Sequence, residues 1–120
     1  MADLDGTFRV LKALLEQYAP RLHTSHDSPS LYLLEGDPVA TLSRPIRFGG
    51  VELRKSVVTF HLLPVYTHPE LLSGISDELR RRMQSKSSFD FTRPERELLL
   101  ELSGIIDRSF ELYCSLGWIT

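Results

Sequence analysis

A chain of 120 residues, 42% hydrophobic and 25% charged, has room for one domain with one continuous core and little space for a second. Its 14 basic and 16 acidic residues leave a formal net charge of −2, which argues against a general nucleic-acid binder and still leaves room for a local anion site. No apolar run approaches the roughly 20 residues needed to span a bilayer, and the opening MADLDGTFRVLKALL puts acids ahead of its apolar part, unlike a secretory signal, so the expectation is a cytoplasmic protein, residues 1–120 as one domain, with no membrane or nucleic-acid partner.

Leu4, Phe8, Leu11, Leu14, Leu15 and Tyr18 recur at three- and four-residue spacing, which predicts a first helix over about 6–18 with one apolar stripe. Asp5 is placed to cap it and Pro20 to stop it. His23 to Ser30 (HTSHDSPS) reads as a polar loop. Leu31 to Glu35 reads as a short strand bounded by Gly36, Asp37 and Pro38, with Val39 to Leu42 alongside. Gly49-Gly50 marks a turn or bulge. Val51 to Arg54 and Val57 to Leu63 then form two strands joined tightly at Lys55-Ser56. Alternation sets Val51 and Leu53 against Glu52 and Arg54, and Val58, Phe60 and Leu62 against Val57, Thr59, His61 and Leu63. The second of these strands is apolar on much of both faces, as a central strand would be.

Two segments open with the same phrase. Thr67-His68-Pro69-Glu70 and Thr92-Arg93-Pro94-Glu95 both fit a capping box, with proline in the first turn. Between them Ser76 is placed to cap a helix from Asp77 to about Gln84, acidic at its start and carrying Arg80, Arg81 and Arg82 near its end. Phe89 and Phe91 flank Asp90 in a short strand. A last helix is predicted from about Arg93 to Leu116, with Gly117 ending it. The expected fold is α+β: an antiparallel sheet of about four to five strands with N-terminal, middle and C-terminal helices on one face.

The hairpin VELRKSVVTFHLLP, the helix DELRRRMQ and the KSSFDF stretch before the final helix resemble the YdhG-like family of small bacterial proteins. Much of that family is a domain of unknown function, and some members are described as frataxin-like iron chaperones. The resemblance implies the same order of helix, antiparallel sheet, short helices and terminal helix. It also implies, as an alternative function, iron handling through surface carboxylates. The first helix departs from that pattern: it carries Glu16, with Asp3 and Asp5 before it, beside Arg9 and Lys12.

Several residues invite a functional reading. Arg80, Arg81, Arg82 and Lys86, with Arg54 and Lys55, could make an anion site. Consecutive helical residues point about 100° apart, so the three arginines cannot converge, and charge at a helix C-terminus with a solvated face is the better account of them. His61, with Thr59, Glu52 and Arg54, is placed on the second sheet face, either lining a polar pocket or holding cross-strand hydrogen bonds. His23 and His26 with Asp27 lack the further ligands and rigid support of a metal site. Cys114, the single cysteine, has no cation near it in sequence and reads as a packed thiol. No nucleophile elbow or phosphate loop occurs. The functional expectation is therefore a non-enzymatic module, without cofactor or bound metal. It would bind a small or anionic ligand, or form a homodimer, through Glu52, Arg54, Thr59 and His61, with Lys55 and Lys86 at the rim.

Overall fold

The computed structural model describes residues 3–39 and 44–119. Among them six strands form one antiparallel sheet: β1 (His23–Asp27), β2 (Leu31–Val39), β3 (Arg44–Leu53), β4 (Val58–Leu62), β5 (Met83–Ser85) and β6 (Ser88–Phe91). Their order across the sheet is β1-β2-β3-β4-β6-β5. The helices are α1 (Leu4–Glu16), α2 (Pro64–Thr67), α3 (Asp77–Arg81) and α4 (Arg96–Ser115), with 3-10 turns at Ala19–Arg21 and Pro69–Leu72. This is the α+β antiparallel architecture expected, with one or two more strands. No helix among the described residues is long and apolar enough to cross a membrane.

Alternation assigns the core face. Tyr32, Leu34, Val51, Val58, Phe60, Leu62, Phe89 and Phe91 are buried together, and α1 adds Phe8, Leu11 and Leu15 from its stripe. α4 covers the rest with Leu98, Leu102, Ile105, Ile106 and Tyr113. The Phe48 ring meets Tyr113 edge-on at 5.6 Å, and Tyr113 meets Trp118 likewise at 5.0 Å, an arrangement aromatic quadrupoles favour. The Tyr113 hydroxyl donates to the Arg47 carbonyl at 3.1 Å, fastening α4 to β3.

The β3–β4 turn is as tight as expected: Leu53 pairs with Val58, and the Arg54 amide donates to the Val57 carbonyl at 2.9 Å. The register of β2 on β3 slips between Leu34↔Gly49 and Glu35↔Arg47, so the bulge expected at Gly49-Gly50 falls at Phe48-Gly49. β3 itself runs on through both glycines. α4 ends in a Schellman motif: the Trp118 amide donates to Tyr113, the Gly117 amide donates to Cys114, and Gly117 takes φ +79, a conformation open to glycine at no steric cost.

Other expectations need correction. His23–Asp27 is an edge strand, not a loop; all five residues are exposed, so no apolar alternation marks it. β2 continues past Gly36 to Val39, and the remainder of the expected 39–42 strand lies outside the described residues. α1 starts earlier, capped by Asp3, whose carboxylate accepts from the Gly6 amide at 2.9 Å. Neither capping box forms. Thr67 closes α2, its hydroxyl donating to the Pro64 carbonyl at 3.2 Å. Glu95 is drawn instead to Arg82, leaving α4 to begin at Arg96 without a side-chain cap. The Ser76 cap does form: its hydroxyl accepts from Leu79 and donates to Glu101 at 2.7 Å. That helix stops at Arg81, and the chain turns into β5.

Candidate functional site

Opposite the core, the second sheet face is built by the residues that alternate outward. The register aligns Leu33 of β2, Gly50 of β3 and His61 of β4 in one row, with Leu31, Glu52, Thr59 and Asp90 in the next. Gly50 has no side chain, and the end of Leu33 lies over its backbone. A Cβ there would meet the end of the Leu33 side chain and stand 2.8 Å from the Tyr32 carbonyl oxygen. Beside Leu33 lies a depression of about 420 Å³, lined by Leu31, Leu33, Arg47, Gly49, Glu52, His61, Leu63 and Ser87. All of these belong to strands or to the turns at their ends, so no helix roofs it.

Glu52 and His61 meet there, His61 Nε2 lying 3.3 Å from Glu52 Oε1. Arg54, just past the end of β3, brings its Nε to 3.6 Å of the same carboxylate oxygen. The three polar groups thus form a half-exposed chain along one side of a floor of three leucines. Groups this exposed stay screened by water, so their attraction orients more than it stabilises.

The residues singled out in the sequence divide. Glu52, Arg54 and His61 come together. Thr59 shares their face but is only 3% exposed, and its hydroxyl donates to Asp90 at 2.7 Å, so it braces β4 to β6. Lys55 sits in the β3–β4 turn, at the Val58↔Phe91 end of the β4–β6 pair, while Lys86 sits beyond the His61↔Ser88 end. The two lysines therefore stand at opposite ends of the ladder. The neighbour of Lys86, Ser87, lines the depression, but Lys86 lines a separate groove. Leu31, Leu33 and Arg47 were missed. The signal for the two leucines was present in LYLLE, apolar on both faces as a central strand is.

The arginine run is largely consumed internally. Arg82 grips Glu95 through Nε at 3.1 Å and Nη2 at 2.6 Å, and Arg81 pairs with Glu78 at 2.7 Å. The hydrogen bond that Arg82 donates to Glu95 holds its guanidinium above the ordinary range. Cys114 does have a cation near it after all: Arg21 Nη2 lies 3.7 Å from Sγ, brought from 93 residues away. His23 bonds Asp37 at 2.9 Å, and no cluster of three or more histidine, cysteine or acidic side chains suited to a metal occurs among the described residues.

Comparison of the chain with protein families, with curated proteins and with solved structures finds no match.

Proposed function

We propose that the protein is a non-enzymatic binding module whose site is the second sheet face, with a small polar–apolar ligand in the depression between Leu33 and His61. The single observation behind this reading is the depression on that face. It is a hollow of about 420 Å³, within the range of small-molecule sites, on a face where an apolar floor adjoins a Glu52–His61 pair. The leucines would hold the apolar part of the ligand and Glu52, His61 and Arg47 its polar end.

A second reading rests on the same surface. Leu31, Leu33 and Leu63 are half-exposed beside charges of both signs, and a two-fold axis can set such a patch against itself. The YdhG-like resemblance offers iron handling as a further alternative. Its carboxylates would have to gather, and anaerobic titration with ferrous iron tests for that directly.

An NMR screen of labelled protein against small carboxylates, amines and amides tests the leading reading. Shifts are expected at Leu33, Gly50, Glu52, His61 and Leu63, and Leu33→Glu should abolish them. Light scattering up to millimolar concentration tests the homodimer. A protein that stays monomeric and shows no clustered shifts on this face refutes both readings.

A further inference from the structure

A groove of about 740 Å³ lies at the opposite rim of the sheet, lined by Val65, Tyr66, Pro69, Leu72, Arg80 and the run Met83 to Lys86. Side chains of a strand alternate between faces, so four consecutive residues on one wall mean that the groove abuts the edge of β5 rather than a face. β5 is the last strand in the sheet order, paired only with β6 among the described residues. An edge strand presents unpaired backbone N–H and C=O groups, ready to pair with another extended chain.

The far wall, from α2 and the 3-10 turn after it, is apolar, and Tyr66 offers a ring that is 56% exposed. The rim is cationic. Arg80 and Lys86 line the groove with no carboxylate among the lining residues. Neither joins an ion pair among the described residues, whereas Arg81, Arg82 and Arg93 are all matched to Glu78 or Glu95. In a chain of net charge −2, two unmatched cations beside an apolar wall and an open strand edge select for acid and apolar groups on an extended backbone.

We infer that this groove binds a short extended peptide segment of mixed acidic and apolar residues, which adds to β5 as a seventh strand. Backbone pairing to β5 gives affinity without sequence preference, while Tyr66 and the two cations read the side chains. β5 has three residues and a register slip between Met83 and Ser85, so only a short segment can pair. The other edge is unlike it: β1 is polar throughout, and Lys12 beside it is already bound to Asp27 at 2.8 Å. The groove shares no lining residue with the depression beside His61, so the two proposals fail independently.

The test pans a phage-displayed library of random octapeptides against the full chain and against Arg80→Glu/Lys86→Glu. The expected result is enrichment of peptides alternating apolar with acidic residues. The best of them, made synthetically, should bind roughly tenfold or more weakly to the double variant and to Tyr66→Ala, the loss typical of an interface anchor. It should slow amide exchange at Met83 to Lys86 and bind His61→Ala unchanged. All the substituted groove residues are exposed, and an unaltered thermal midpoint confirms the variants fold. No enrichment, binding indifferent to the charge reversal, exchange protection elsewhere, or displacement of the peptide by a labelled oligothymidine overturns the inference.

Discussion

Arg81 and Arg82 are neighbours with opposite fates. The side chain of Arg81 is 63% exposed and its partner Glu78 57%. The hydrogen bond from Arg81 lowers the Glu78 carboxyl below its ordinary value, but in open water such a pair adds almost nothing to stability. Arg82 meets Glu95 with a fork of bonds, and Glu95 is only 19% exposed, so removing the acid strands a half-buried guanidinium. Glu95→Ala should lower the unfolding free energy by about 1–2 kcal/mol, while Arg81→Ala leaves the urea midpoint nearly unmoved. Equal effects from the two substitutions would contradict this account. The capping signature at Thr92–Glu95 misled for the same reason. A glutamate reaches either its own helix start or a cation from another element, and sequence spacing shows only the first.

At the scale of elements, α4 is held by Tyr113, which is fully buried with its hydroxyl on β3. Burial pushes its phenol well above the ordinary value of 10.0, and burial raises Tyr32 in the same direction. A group whose folded value is raised contributes stability fully below its unfolded value and loses it as pH climbs toward the folded one. The thermal midpoint should therefore fall above about pH 10, where only unfolded phenols ionise. Tyr113→Phe should cost about 1 kcal/mol at neutral pH through the lost hydrogen bond and flatten that alkaline decline. An unchanged slope would remove Tyr113 as its source. β3, β4 and β6 were legible because one side of each faces the core, and Glu52 and His61 followed from the same alternation. β1 and β5 were not, because edge strands owe their shape to pairing with a neighbour rather than to burial. Arg47 escaped notice because its place on the second face depends on the slip at Phe48-Gly49, which only the paired strands define.

Across the whole molecule, protection should follow sheet position. β4 lies between β3 and β6 with four of its five residues buried, so native-state exchange should be slowest at Val58 to Leu62 and fastest along β1. Faster exchange in β4 than in β1 would refute that ranking. The strand order also bears on how the chain assembles. β1 joins β2 through residues 28–30 and β3 joins β4 through residues 54–57, closures of three and four residues. β6 reaches β4 only across residues 63–87, which is 25 residues. Loop entropy grows with the logarithm of length, so this closure costs about 1.6 kcal/mol more than the four-residue one. The antiparallel meander of β1 to β4 can thus form early from near neighbours. The seam between β4 and β6 is where this protein's folding rate would be set, and Phe89 and Phe91, buried on that seam, are the side chains whose docking would complete the barrier crossing.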